Sequence, residues 1–261
     1  MSNVPLTHTG SPPASLFPSK ERPVRVVARN LAADELLSAH HHPWAQVTYA
    51  LDGMLQVLAN HQTWFVPPLR AIWIPAGIEH EVRTMEKTQL RAIYVEEGIA
   101  PISGDQCVVL EVSPLMRELV RSLTALDQAG MRENHLVATL LDELRVAPSL
   151  PMNVAMPNDK RLKTLCESLL AEPASNLTLN DFARQVGASE RTLARLFERE
   201  LGMSFGQWRQ QMRLARATPL IARGLPLSAV ATELGYASQS AFSAMFKKTF
   251  GKSPSQFFKP D

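Results

Sequence analysis

The last third of the chain contains one pattern twice, as LNDFARQVGASERTLARLF (residues 179–197) and as LSAVATELGYASQSAFSAMF (residues 227–246). Each copy predicts a short amphipathic helix, a glycine, a tight turn and a second helix that begins at a serine. Gly187 and Gly235 are suited to end the first helix in a left-handed conformation. Two helices joined by such a turn form a helix-turn-helix. A single copy would be weak support, but two copies in register make the prediction strong.

The second helix of each pair has an apolar face and a polar face. Ser189 and Ser238 are favourable N-caps for these helices. Their apolar positions recur at helical spacing, as Leu193, Leu196, Phe197 and Leu201 in the first copy and Phe242, Met245, Phe246 and Phe250 in the second. Arginine and glutamine near a helix N-terminus can bind base edges in a major groove, so the polar faces predict DNA binding. An ordinary solvated face is the alternative.

The segment between the copies, residues 205–223, also has a helical period. A helix of this length extends about 28 Å, close to the ~34 Å between successive major grooves on one side of B-DNA. The spacer could therefore hold two recognition helices about one DNA turn apart. Pro219 lies inside it and is expected to kink or shorten the helix, because proline removes a backbone hydrogen bond.

These motifs resemble the AraC/XylS family of transcriptional regulators. The resemblance is most specific at LGY (residues 234–236), SxF (240–242) and FKKxFGxSP (246–254). It implies that base edges are bound by Arg191, Arg195, Gln239 and Ser240, and that phosphates are bound by Ser189, Ser238, Lys247 and Lys248. Ala244 is shorter than the side chain often found at its position in the family. The second motif is therefore expected to bind fewer bases and to serve mainly for positioning.

Composition and charge fit a two-domain, DNA-binding protein. The chain has 261 residues, of which 45% are hydrophobic and 20% charged, and it lacks the apolar run of about 20 residues that spans a membrane. Residues 158–261 carry 15 Lys and Arg against 9 Asp and Glu, a net charge of +6. The preceding part carries 12 against 16, a net charge of −4. A basic C-terminal domain suits phosphate contacts. The only two cysteines, Cys107 and Cys166, are expected to be reduced thiols of a cytoplasmic protein.

Residues 24–96 alternate in the manner of short strands with Asp-Gly, Pro-Pro and Pro-x-Gly turns, which predicts a small barrel or jelly roll. His40 and His42 would lie on the same side of a strand, and a hairpin could bring His80 beside them. Gln46 could add an oxygen ligand. Such a set suits a divalent metal such as Zn, Ni, Fe or Cu. Histidines that line a small-molecule pocket, and histidines without a ligand role, are the alternatives.

The spacings HxH-x3-Q-x6-G (residues 40–53) and PxGxxH (residues 75–80) resemble the two cupin motifs. The resemblance implies a β-barrel sensor domain that binds a small molecule or a metal ion. Gln46 replaces the glutamate of metal-binding cupins, which weakens metal affinity because a charged ligand becomes neutral. Trp44 and Trp64 are candidates to stack on an effector, although plain core packing is the more common role of tryptophan on a strand.

The expected organisation has five parts. Residues 1–22 form a flexible arm, 23–100 a cupin-like barrel, 101–147 a helical segment, 148–157 a linker, and 158–261 the DNA-binding domain. Two leucine-rich helices are expected in the third part, with Leu115, Leu119, Leu123 and Leu126 on one and Leu136, Leu140, Leu141 and Leu144 on the other. They could pack on the barrel or form a homodimer. Thr178 and Asp181 predict a capping box at the start of the first helix-turn-helix.

The favoured function is a transcription factor that binds double-stranded DNA, senses an effector and controls a neighbouring transporter or catabolic gene, with RNA polymerase as a candidate partner. An enzyme is the second hypothesis. A catalytic cupin would need a carboxylate ligand where Gln46 stands, and neither a phosphate-binding glycine loop nor a nucleophile elbow occurs. A DNA-architectural protein without an effector is the third.

Overall fold

The computed structural model describes residues 16–257 except 61, 69, 127 and 151. The described residues form two compact units. The first contains residues 16–60 and 66–150, and the second contains residues 62–65 and 152–257. Most of the predicted flexible arm, residues 1–15, lies outside the described residues.

The first unit is built on two antiparallel sheets, which confirms the expected β-rich N-terminal region. The strands of the chain are β1 (Val24–Leu31), β2 (Leu36–His40), β3 (Ala45–Asp52), β4 (Leu55–Ala59), β5 (Gln62–Val66), β6 (Arg70–Ile74), β7 (His80–Thr84), β8 (Thr88–Val95), β9 (Val108–Glu111), β10 (Ser149–Leu150) and β11 (Asn153–Ala155). One sheet has the order β1-β8-β3-β6-β9-β10. In the other sheet, β7 lies between β4 and β2.

Two registers in these sheets determine where the site forms. In the first sheet Gln46 of β3 is opposite Tyr94 of β8, and Arg29 of β1 is opposite Leu90 of β8. In the second sheet His40 of β2 is opposite His80 of β7. The alternation of side chains along each strand then places these residues on defined faces of the sheets.

Two helices pack against the first sheet: α1 (Pro114–Thr124) and α2 (Met131–Val146). Their buried side chains share one core with the sheet, through Met116, Leu119, Val120, Leu123, Val137, Leu140 and Leu144. The predicted stripe on α1 is displaced by one position at its start, because Leu115 is 48% exposed and Met116 is buried in its place. Most of the predicted leucines therefore pack within the unit.

Strands also occur where the sequence predicted helix or linker. The expected helical segment 101–147 contains β9, which pairs with β6 and contributes Val109 and Leu110 to the interior. The expected linker 148–157 contains β10 and β11. All three strands form because a partner strand is available, which a short apolar run in the sequence does not reveal. Both cysteines are free and buried, and burial raises the pKa of the Cys107 thiol to about 12.

The second unit contains the remaining helices: α3 (Lys160–Ala171), α4 (Leu179–Gln185), α5 (Glu190–Leu201), α6 (Phe205–Ala222), α7 (Leu227–Glu233), α8 (Gln239–Phe250) and α9 (Pro254–Phe257). Helices α4 and α5 form the first helix pair, and α7 and α8 form the second. Residues 62–65 of β5 pair with β11 in this unit. The indole nitrogen of Trp208 on α6 donates to the carbonyl oxygen of Ala155 on β11 at 2.6 Å.

The predicted turn chemistry is confirmed in both helix pairs. Gly187 and Gly235 have φ angles of 66° and 72°, which lie in the left-handed region. Ser189 accepts a hydrogen bond from the backbone N–H of Thr192, and Ser238 accepts one from that of Ala241. The capping box of Thr178 and Asp181 also forms. Helix α6 continues to Ala222, so the predicted shortening at Pro219 does not occur.

Candidate functional site

Three histidines come together in the first unit, as the sequence predicted. One ring nitrogen from each of His40, His42 and His80 lies within 4.8 Å of the other two. Ring centroids are 4.4 Å apart for His40 and His80 and 5.1 Å apart for His42 and His80. We call these three residues the histidine cluster. Its geometry could hold a metal ion.

Backbone carbonyls fix the same tautomer in all three rings. The Nδ1 atoms of His40, His42 and His80 lie 2.7–2.9 Å from the carbonyl oxygens of Ser38, Trp44 and Ile78, respectively. Because a carbonyl oxygen can only accept, each Nδ1 carries the hydrogen. In a neutral imidazole the lone pair is then on Nε2, and this second hydrogen bond to a carbonyl is typical of histidines that bind metals.

Burial favours the neutral form of His42 and His80. Loss of solvation lowers the pKa of His80 to about 4, although the Ile78 carbonyl opposes the shift. Loss of solvation also lowers the pKa of His42. His80 is only 1% exposed, and its Nε2 has no hydrogen-bond partner among the described residues. A buried acceptor without a partner is costly, and a metal ion or a ligand donor would satisfy it.

Gln46 joins the cluster as the sequence predicted. Its Oε1 lies 2.9 Å from Nε2 of His42, and its amide nitrogen donates to the Thr48 hydroxyl at 2.7 Å. Two acceptors therefore face each other when His42 is neutral. A cation bound by both atoms removes this conflict. Reversal of the amide, so that it donates to His42 and accepts from Thr48, also removes it.

Two members of the cluster, His40 and His42, line a cavity of about 480 Å³ in the first unit. Cavities of this size commonly hold small organic ligands. The aromatic part of the lining is Phe17, Trp44 and Tyr94, and the polar part includes Arg29, Glu35, Gln46 and Thr48. Trp44 stacks on His42 with 5.0 Å between ring centroids and also contacts Phe17. The prediction that Trp44 lines a pocket is therefore supported.

The position of Trp64 corrects the second aromatic prediction. Trp64 is only 6% exposed and is not among the residues that line the cavity. It belongs to the second unit, where it is opposite Asn153 of β11. The reason is the pairing of β5 with β11, which is a long-range contact. Plain packing, the alternative for this tryptophan, accounts for its burial. The sequence prediction did not include Arg29, because a single arginine in an alternating strand gives no signal of its own.

The candidate DNA-binding residues all lie on the surface of the second unit. On α5 the exposed side chains include Arg191 and Arg195, and on α8 they include Gln239, Ser240, Lys247 and Lys248. The opposite faces are buried through Leu193, Leu196 and Phe197 on α5 and through Phe242, Phe246 and Phe250 on α8. Both helices end at a glycine in the left-handed conformation. Equivalent positions of α5 and α8 therefore have the same orientation within their pairs.

A groove of about 1190 Å³ runs along α5. Four arginines line it, Arg161, Arg195, Arg199 and Arg209, together with Glu190 and Glu198. Arg209 donates to the carbonyl oxygen of Leu177 and lies over the Phe205 ring at 4.5 Å, so part of its role is structural. The excess of arginine over glutamate makes this surface suited to phosphate groups.

Comparison with known proteins identifies two domains in the chain. A helix-turn-helix domain model matches residues 182–260, and an AraC-like ligand-binding domain model matches residues 23–145. The HTH-type transcriptional regulator NimR of Escherichia coli is 35% identical over 228 residues, which cover 86% of this chain and 83% of NimR. The arabinose operon regulatory protein of E. coli is 30% identical over 149 residues, which cover 55% of this chain and 51% of that protein. The HTH-type transcriptional activator RhaR of Mannheimia succiniciproducens is 22% identical over 261 residues, which cover 93% of this chain and 94% of RhaR.

The chain is therefore a transcriptional regulator, with an N-terminal ligand-binding domain and a C-terminal DNA-binding domain, and not an enzyme. It belongs to the AraC family. No described helix has both the length and the apolar character needed to cross a membrane.

Proposed function

We propose that this regulator binds a specific operator through α5 and α8, under the control of an effector held in the cavity of its first unit. The observation that carries the proposal is the equivalence of α5 and α8. Both have a serine N-cap, a buried apolar face and an exposed polar face in one domain. A protein that presents two such helices can bind two neighbouring segments of major groove.

The proposed contacts divide into base contacts and phosphate contacts. Arg191 and Arg195 bind base edges from α5, and Gln239 and Ser240 bind them from α8. Phosphates are bound by Lys247, Lys248, Ser189 and Ser238. The two serine oxygens already accept backbone hydrogen bonds, so a phosphate would be bound through the hydroxyl proton.

The histidine cluster is the proposed position of a divalent metal such as Zn, Ni or Fe. Support comes from one ring nitrogen of each histidine, which lie within 4.8 Å of one another, and from the unpartnered Nε2 of His80. A bound ion would serve as an effector, or would help to bind an organic one, by accepting electron pairs from ligand oxygens. Because Gln46 is neutral, the ion would keep its full charge, and we expect weaker binding than at a site with a carboxylate ligand.

The remaining parts of the proposal concern assembly and gene context. A homodimer is proposed, with the outer face of α1 and its exposed Leu115 as the contact. We further propose that the bound regulator contacts RNA polymerase and controls a neighbouring transporter or catabolic gene, which places it in the cytoplasm. The proposed functional domains are residues 23–100 for sensing and residues 158–261 for DNA binding.

A binding selection on genomic fragments with the purified, full-length protein tests this function. Enrichment of a site with two elements about 10 base pairs apart is the expected result, because that spacing matches one helical turn of DNA. Elemental analysis of the same sample measures any metal. Fragments recovered without a common sequence would contradict specific binding, whatever the metal content.

A further inference from the structure

We propose that the effector is a small organic carboxylate with an apolar body, and that Arg29 binds its carboxylate. This inference rests on the proposed function of the cavity and specifies the chemical class of its ligand. It starts from a cation that has no anionic partner: among the residues that the structure describes, no carboxylate forms an ion pair with Arg29.

The Nε–H group of Arg29 is a buried donor without an acceptor among the described residues. Arg29 lines the cavity, and its Nε is buried without a hydrogen-bond partner in the described part of the chain. A buried donor left without an acceptor is costly, so the site favours a ligand that supplies one. The acidic residue of the lining, Glu35, has one carboxylate oxygen engaged by the backbone N–H of Ala32 at 2.8 Å.

Another arginine of the same unit demonstrates the geometry that such an edge prefers. Arg22 binds Glu133 through Nε and Nη2, with distances of 2.6–3.1 Å to the carboxylate oxygens. The planar fork of a guanidinium matches the two oxygens of a carboxylate in this manner. Arg29 lines the cavity with an unpartnered Nε, so a ligand carboxylate can take there the place that Glu133 takes at Nε of Arg22.

The rest of the lining selects an apolar body. Leu36, Leu37, Val82, Leu90 and Ala92 contribute aliphatic surface, and Phe17, Trp44 and Tyr94 contribute aromatic surface. A cavity with an apolar lining and few polar groups binds the body of a ligand by burial and orients it by those groups. The one arginine of this lining is therefore complementary to a monocarboxylate whose body contacts the aliphatic and aromatic side chains, and Glu35 on the same wall disfavours a polyanion.

Matched pairs of acids and amides test the inference. Benzoate is compared with benzamide, and hexanoate with hexanamide, by ligand-observed NMR on the full-length protein. A chelator is present throughout, because a metal at the histidine cluster would attract carboxylates by itself. The acids are expected to bind about tenfold more tightly than the amides, which corresponds to one strong charge-assisted hydrogen-bond pair.

Variants assign the preference to Arg29. Arg29→Gln should make acid and amide bind equally, and Arg29→Lys should restore part of the preference because it keeps the charge but loses the planar fork. Arg83→Gln is the control, since Arg83 is exposed on β7 and does not line the cavity. Thermal unfolding verifies that each variant is folded.

Three results would overturn the inference: no binding of either acid, equal binding of acid and amide to the unaltered protein, or an acid preference that persists in Arg29→Gln. None of these results depends on DNA. The operator selection described above is carried out without ligand, so the failure of that experiment and the failure of this one can be told apart.

Discussion

Gln46 is the residue that decides what the histidine cluster can hold. Its oxygen faces Nε2 of His42, and its amide nitrogen is held by Thr48, so its position is set by two neighbours. A glutamine can ligate a metal through its oxygen, but it does not reduce the charge of the ion. The neutral amide of Gln46 is also compatible with a cavity that binds an organic molecule without a metal ion. The chemistry of this single position therefore separates the two proposed uses of the cluster.

Gln46→Glu should strengthen zinc binding by at least about tenfold, which is 1.4 kcal/mol, because a carboxylate neutralises part of the ion's charge. Zinc affinity is measured by competition with a chelating dye. Gln56→Glu, which adds the same charge on β4 and outside the lining of the cavity, is the matched control and should have no effect. Equal zinc affinities of Gln46→Glu and the unaltered protein would show that this position does not ligate the metal.

Arg195 and Lys248 should differ in the kind of binding they lose. Arg195→Ala is expected to cost roughly 1–3 kcal/mol at one base pair of the operator and to relax the preference there, because base contacts carry specificity. Lys248→Ala should weaken binding to all sequences alike and should reduce the salt dependence by about one released counterion. Binding profiles over an operator library at two salt concentrations measure both effects. A sequence-selective loss in Lys248→Ala would contradict its role at a phosphate.

At the scale of secondary-structure elements, the two helix pairs have the same turn in different surroundings. Gly187 and Gly235 both adopt the left-handed conformation. A Cβ at Gly187 would meet nothing within 4 Å. A Cβ at Gly235 would lie 2.9 Å from Cα of Ala174 and 2.7 Å from Nη2 of Arg213. The guanidinium of Arg213 also donates to the carbonyl oxygens of Pro173 and Gly235, which holds the second turn closely.

Gly187→Ala should therefore lower the free energy of unfolding by only about 1–2 kcal/mol, the cost of a left-handed alanine. Gly235→Ala should cost distinctly more, because the backbone of Ala174 must also move. Chemical denaturation of the two variants measures the difference. Equal losses would mean that the backbone at Ala174 adjusts freely.

Among the outward-facing positions at which α5 and α8 differ, one pair gives a direct test: Arg195 on α5 corresponds to Ala244 on α8. Ala244→Arg should create a new preference for guanine in the half-site that α8 faces, since arginine binds the O6 and N7 atoms of guanine. Selection from a randomised operator library measures this. The control Ala241→Arg places the same charge on α8 at the position equivalent to Thr192 and should raise affinity without a new base preference. An unchanged half-site in Ala244→Arg would remove α8 from the base-binding surface.

Features that depend on local pattern could be predicted from the sequence, and features that depend on long-range pairing could not. The histidine cluster was predictable because His40 and His42 are close in sequence, at the end of β2 and just after it, and because PxGxxH places His80 at the start of the strand that pairs with β2. The helix pairs were predictable because caps and glycines have local signatures. Arg29 was not, because its place in the cavity depends on the pairing of β1 with β8. The surroundings of Trp64 depend on a long-range pairing in the same way, that of β5 with β11, and plain packing, the role favoured for a strand tryptophan, accounts for its burial.

At the scale of the whole molecule, a regulator must couple two binding reactions. A ligand changes DNA affinity only if it binds the DNA-competent state more or less tightly than the other state. The coupling is reciprocal, so the factor by which the ligand changes operator affinity equals the factor by which the operator changes ligand affinity. Coupling free energies of about 1–3 kcal/mol, equivalent to roughly 5- to 150-fold, are usual for such proteins.

The acid that binds most tightly in the matched-pair screen should therefore change the operator Kd by at least about fivefold at saturation. The acid Kd, measured with and without operator, should change by the same factor. Fluorescence anisotropy measures the operator Kd, and calorimetry measures the acid Kd. Arg29→Gln is the control. Without acid it should bind the operator as tightly as the unaltered protein, because Arg29 and the helices α5 and α8 belong to different units. With acid at the same concentration, its operator Kd should not change. An operator Kd that saturating acid leaves unchanged would mean that the acid occupies the cavity without being the effector. A response of equal size in Arg29→Gln would mean that the acid acts from another site.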